Sequence, residues 1–162
     1  VFKLVAPRYD LMNDFMSFGT HRIWKHFFVN FIDFKSTDII IDLAGGTGDI
    51  ARKLVSKGAN NVIVVDPSVE MMRAGVEANS LQVVNVAAIG EKLPFADNSI
   101  DKLTISFGIR NMTSMSDALK EIHRVLKPDG QYYCLEFSRP MMQSRQQHQH
   151  TSRLPAIVMA RP

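Results

Sequence analysis

The chain has 162 residues, 46% apolar and 22% charged, enough for one domain with a real core. Its net charge of +3 comes from 19 basic and 16 acidic residues that do not cluster, so there is no footprint for nucleic acid. One cysteine, Cys134, excludes an intramolecular disulfide and fits a reducing compartment, and no apolar run is long enough to span a bilayer.

Residues 1 to about 35 are rich in phenylalanine and methionine, with Trp24 among them, and read as two helical pieces joined near Ser17 to Thr20. These rings are either core or a lid over a greasy substrate. A start at Val1, with domain-like sequence at once, is expected of a piece of a longer protein.

A first strand is predicted at about 38–43 and a helix at about 48–57, with Gly58 as its C-terminal cap. A second strand follows at about 61–66 and a helix at about 68–78, with Pro67 in its first turn. A third strand is expected at about 81–86, then a loop from Glu91 to Ser99 and a fourth strand at about 100–107. Ala118, Leu119, Ile122, Val125 and Leu126 carry helical spacing over about 114–126. Pro128-Asp129-Gly130 turns the chain into a fifth strand at about 131–137, where Cys134 reads as buried filler. This alternation predicts an α/β fold with a parallel sheet covered by helices on both faces. The tract from Gln143 to His150 is polar and aperiodic and is expected to be disordered. Its two histidines lack further ligands, so no metal site is expected. Leu154 to Pro162 shows no clear pattern.

The most specific feature is a pair of acidic strand ends around a glycine turn. Ile39-Ile40-Ile41 runs into Asp42-Leu43-Ala44-Gly45-Gly46-Thr47-Gly48, and Val62 to Val65 runs into Asp66. Glycines at the turn let the backbone approach a ligand closely, and Asp66 can accept hydrogen bonds from both ribose hydroxyls. Gly46 to Ala51 also has the spacing of a dinucleotide fingerprint, a weak match alone. Asp42 would repel a diphosphate and attract a cationic amino acid end, which favours S-adenosylmethionine over NAD. Asp66 could instead cap the next helix. Met71 and Met72 could either press on an adenine face or fill core.

The chain resembles the C-methyltransferases of ubiquinone and menaquinone biosynthesis. The likeness rests on Tyr9-Asp10-Leu11-Met12-Asn13, Ser17 and His21-Arg22-Ile23-Trp24. It continues through Leu43 to Asp49, Glu91-Lys92-Leu93-Pro94-Phe95 and Phe107-Gly108-Ile109-Arg110-Asn111, to Arg124-Val125-Leu126-Lys127-Pro128-Asp129-Gly130 and Leu135-Glu136-Phe137-Ser138-Arg139. It covers residues 1–140. It implies a class I S-adenosylmethionine-dependent methyltransferase fold, Rossmann-like, here with the last two strands missing. The implied domain is 1–140, with an N-terminal helical lid over 1–35, a core over 38–138 and a disordered or aberrant tail over 141–162. The cofactor contacts implied by position are Thr47, Asp66, Ile89, Gly90 and Ser106. Ile89 departs from the polar residue usual there, and Asp129 replaces a glycine. Loss of the final strands is expected to leave the fifth strand an uncovered edge and the chain prone to association.

A ring carbon is a poor nucleophile until its neighbouring hydroxyl loses proton density. Arg110 is the candidate to stabilise the resulting oxygen, with Asn111 as a second donor and His21 and Tyr9 as further catalytic candidates. The resemblance implies S-adenosyl-L-methionine as cofactor and a polyprenyl quinol as substrate, with a peripheral membrane contact at the aromatic N-terminal stretch. Protein partners would be a second copy or other enzymes of quinone synthesis. The location would be a bacterial cytoplasm beside the inner membrane, or the mitochondrial matrix face. The alternatives are a non-catalytic truncated relative and an NAD-binding oxidoreductase fragment.

Overall fold

The computed structural model describes residues 20–77, 83–138 and 154–160. Tyr9 and the rest of the first motif up to Ser17, and the tract from Gln143 to His150, lie outside them. Helix α1 (Thr20–Phe31) leads to β1 (Ile39–Leu43), α2 (Asp49–Ser56), β2 (Asn61–Asp66), α3 (Val69–Glu77) and β3 (Val84–Ala87). Then come β4 (Ile100–Ser106), a 3-10 turn (Ile109–Asn111), α4 (Met115–Val125), β5 (Leu126–Ser138) and β6 (Leu154–Ala160). The sheet order is β3-β2-β1-β4-β5-β6. Strands β1 to β5 pair in parallel, and β6 runs antiparallel to β5.

The β-branched runs of β1 and β2 are buried on both faces, as central parallel strands require. Alternate residues feed two cores. Ile40, Val62, Val64, Tyr133 and Leu135 join Phe28, Ile32 and Leu54 on one side. Ile41, Leu43, Val65 and Cys134 join Ile122 and Val125 of α4 on the other. Helix α1 therefore serves as core along one side, while Ile23, Phe27 and Phe31 stay more than half exposed on the other. Helix α2 ends as its glycine predicts. The amide of Gly58 donates to Val55 O and that of Ala59 to Leu54 O, a Schellman closure.

Four expectations are corrected. Helix α3 starts at Val69, one residue late, because Ser68 caps it by accepting from the Met71 amide, leaving Pro67 outside the helix. Among the described residues strand β3 runs over Val84–Ala87, one residue past its expected end. The turn at Pro128 to Gly130 lies inside β5 as a bulge, for the register steps from Ile100–Leu126 to Lys102–Gln131. Most consequentially, the position beside β5 is filled. Leu154 to Ala160 pairs antiparallel with Ser138 to Tyr132, so β5 is not an edge and the sheet has six strands among the described residues. The tail thus adds a strand where disorder was expected over 141–162. The cause is a short apolar run meeting a row of unpaired β5 amides and carbonyls.

Candidate active site

A cavity of about 680 Å³ opens at the carboxyl ends of β1, β2 and β4. The chain crosses from one side of the sheet to the other between β1 and β4, the usual ligand position in open α/β sheets.

The glycine turn forms its floor. Gly46 (φ 54°) and Gly48 (φ 77°) both take the left-handed region, and the turn closes through Gly48 N donating to Gly45 O at 2.8 Å. Asp42 lies beneath this turn, only 1% exposed. Its Oδ2 accepts from the Ala51 amide of α2 at 3.1 Å, and its Oδ1 lies 3.2 Å from the Thr104 hydroxyl. Burial pushes its carboxyl up to about 7, against the pull of Thr104, Ala51 and Lys25. Asp42 thus anchors the turn from below and also borders the cavity. Asp66 ends β2. Its Oδ2 accepts from the Gly46 amide at 2.9 Å and its Oδ1 from the Ser68 amide at 2.8 Å. Each oxygen keeps acceptor capacity for a ligand. The Asp66 bonds hold the turn and the segment leading into α3, but the helix cap is Ser68, so the expectation that Asp66 caps α3 is corrected.

Asp42, Gly45, Gly46, Thr47, Asp66, Ile89, Gly90 and Ser106 all line this cavity. Gly48 is the exception among the predicted contacts: it is buried at the start of α2 and does not line the wall. Both methionines are buried; Met71 also borders the cavity close to Gly46, whereas Met72 belongs to the core cluster. Ile89 is half exposed and presents an apolar surface where a polar group was expected. Its segment is fixed from α4. Glu121 accepts from the Leu93 amide at 2.8 Å, and Arg124 donates to the carbonyls of Leu93 and Phe95 at 3.0 and 2.8 Å. Hydrogen bonding to Arg124 holds the Glu121 carboxyl down at about 2. Two of the segments that carry the resemblance therefore meet in space.

His21, from α1, and Arg110 and Asn111, beyond β4, line the same cavity. Arg110 lies 3.4 Å from Glu136 and stacks over Phe137 at 5.3 Å. Phe137, Phe107 and Trp24 pack ring on ring, with Phe107 and Phe137 centroids 4.9 Å apart. Phe107 holds φ 56°, an unusual conformation for a bulky residue, at the tip of β4.

Sequence reasoning missed Gly75 and Lys25. A Cβ on Gly75 would stand 2.1 Å from Thr47 O, so α3 packs directly on the turn's backbone. The available signal was an isolated glycine inside a helical pattern. Lys25 is buried, lines the cavity and pairs with Asp49 at 3.0 Å.

The wall fits an adenosine-bearing ligand with a cationic amino acid end. It offers a bare turn, the Asp66 carboxylate at its shoulder and the buried Asp42 carboxyl beneath it. The Ser106 hydroxyl on this wall is buried with no partner among the described residues, a gap a ligand could fill.

Comparison with known proteins agrees. The family described as the ubiE/COQ5 methyltransferase family matches residues 1–157, further than the resemblance to 140 had reached. The chain is 55% identical over 140 residues to the "Ubiquinone/menaquinone biosynthesis C-methyltransferase UbiE" of Rubrivivax gelatinosus, covering 86% of this chain and 55% of that protein. The protein of the same name from Acidiphilium cryptum is 43% identical over 145 residues, with 86% and 58% covered. The chain thus spans little more than half the length of these relatives. Among solved structures, a chain of the complex between the Haloferax volcanii Trm112 methyltransferase activator and a methyltransferase superposes with a TM-score of 0.73. It is 23% identical and covers 83% of this chain and 59% of that one, a likeness of fold. An S-adenosylmethionine-dependent methyltransferase from Mesorhizobium loti superposes at 0.57, with 23% identity, 62% of this chain and 47% of that one covered. The fold is that of class I methyltransferases. With sequence agreement running from the first residue into β6, the chain belongs to the ubiE/COQ5 methyltransferase family.

Proposed function

We propose that this chain binds S-adenosylmethionine and carries out, or contributes to, C-methylation of a polyprenylated quinol ring, within a unit whose N-terminal helical segment acts as a lid. The observation that carries this reading is the single cavity shared by the glycine turn, Asp66 and Arg110. The cofactor, when bound, supplies an electrophilic methyl group. Thr47, Asp66, Ile89, Gly90 and Ser106 would hold its adenosine portion, and Asp42 would favour its cationic end. Binding a cation draws the Asp42 carboxyl toward its ionised form.

The residues across the cavity act on the acceptor. Arg110 orients the quinol oxygen and stabilises negative charge on it as its proton leaves. Glu136 and Phe137 limit where that guanidinium can point. Asn111 donates to the same oxygen, and His21 accepts or relays the proton. The Phe107 and Phe137 rings, backed by Trp24, offer an apolar wall for the ring and the start of its tail. No helix among the described residues is long and apolar enough to cross a membrane. The exposed row of Ile23, Phe27 and Phe31 along α1 is where a bilayer-borne acceptor would meet the chain.

The test is incubation with methyl-labelled S-adenosylmethionine and demethylated benzoquinol and naphthoquinol acceptors, read by mass spectrometry, alongside calorimetry with S-adenosylmethionine and NAD. Ring-labelled product and binding of the sulfonium cofactor alone support the reading. NAD binding in its place overturns it.

A further inference from the structure

We propose that Lys25 is the group that receives the carboxylate of the bound cofactor's amino acid end, and so selects ligands that keep that carboxylate. The inference rests on the cofactor reading above.

The amino acid end of such a cofactor carries both signs, so a site that offers only Asp42 answers half of it. Among the described residues lining the cavity, the permanent cations are Lys25 and Arg110. Arg110 belongs to the 3-10 turn after β4 and is tied to Glu136 and Phe137. Lys25 comes from α1 but sits on the turn's side, 3.0 Å from Asp49, the first residue of α2. It is 9% exposed, and a lysine that buried is rare unless a negative group compensates it. Asp49 compensates it only in part. The same carboxylate also holds Lys53 at 3.1 Å, so two ammonium groups share one negative charge. Burial works to raise the Asp49 carboxyl, yet the two lysines keep it below the usual range, ionised and fully committed. The α2 N-terminus adds a positive partial charge in the same corner. A lysine has three N–H donors and Asp49 takes one. Asp42, its carboxyl raised by burial beneath the turn, is the other acid near Lys25; two ammonium groups and a helix N-terminus around the ionised Asp49 leave Lys25 donors facing the cavity for a carboxylate.

A bland role is available: Lys25 could simply fasten α1 to α2 through Asp49. Calorimetry on the full chain separates the two roles, with S-adenosylhomocysteine and its decarboxylated analogue as probes. Lys25→Met is expected to weaken S-adenosylhomocysteine by about 10-fold or more while changing the decarboxylated analogue by less than about 2-fold, because only the first probe offers the anion. Lys25→Arg should recover most of the loss. Equal weakening of both probes assigns Lys25 to holding the helices together and overturns the proposal, as does no weakening of either. If the unaltered chain binds neither probe, the cofactor reading itself fails and takes this inference with it. Thermal melts of the variants establish that they fold.

Discussion

The two sides of the cavity are built differently. The β1–β2 side is made of main chain and buried carboxylates: a turn at positive φ, Asp42 beneath it, Asp66 at its shoulder and Gly75 pressed on its back. The β4–β5 side is made of side chains: two packed rings, Phe107 and Phe137, and a partly exposed arginine leaning on one of them. Backbone contacts hold one ligand shape and tolerate little change. Side-chain walls can alter with rotamer and size. Under the proposed function the donor, constant among methyltransferases, would meet the backbone side, and the acceptor, which differs between enzymes, the side-chain side.

The comparison can be broken or sharpened by substitution. The largest effect is expected from Arg110→Ala, which should lower turnover by about 100-fold while leaving donor affinity and melting temperature nearly unchanged. A parallel fall in donor affinity would mean the two sides are not separable. Asp66→Ala should do the reverse, weakening S-adenosylmethionine about 10-fold or more by calorimetry, since it removes ribose acceptors and the Gly46 anchor together. Gly75→Ala should destabilise by about 1–3 kcal/mol in denaturant unfolding and also weaken the donor, because the new methyl must displace the Thr47 carbonyl. An unchanged donor affinity would show that α3 yields without moving the turn.

The smallest effect is electrostatic. The folded-state value of Asp42 lies above its unfolded one, so the folded chain holds the extra proton. Its contribution is fully present below about pH 4 and is lost as pH rises through about 7. Asp42→Asn should remove this part of the pH dependence of the melting temperature, making the slope between those limits less negative. Donor affinity in the unaltered chain should rise over the same range as the carboxylate ionises, and the Asn variant should not show that rise.

Much of the donor side was legible because its signals are local. Apolar runs ending in Asp42 and Asp66, with glycines after the first, define two strand tips and a turn within thirty residues. Asp42 was read as a ligand-facing charge, yet its burial beneath the turn depends on Ala51 and Thr104, and no local pattern encodes Thr104. Lys25 and Gly75 were silent because their meaning lies in contacts with other segments, Asp49 and Thr47. Strand β6 was missed for a similar reason. Its run, Leu154 to Ala160, contains Pro155 and follows a polar tract, so neither alternation nor flanking turns marked it, and only the free edge of β5 makes it a strand.

Cys134 gives these ideas a convenient clock. It is the chain's single thiol, buried in the core between the sheet and α4, and burial raises its thiol above the ordinary range. A maleimide or disulfide reagent can therefore label the chain only after β5 and α4 part. The labelling rate measures that opening without any engineered cysteine, and slowing of the rate by a donor analogue would report, in kinetic terms, how firmly ligand binding fastens the far half of the sheet.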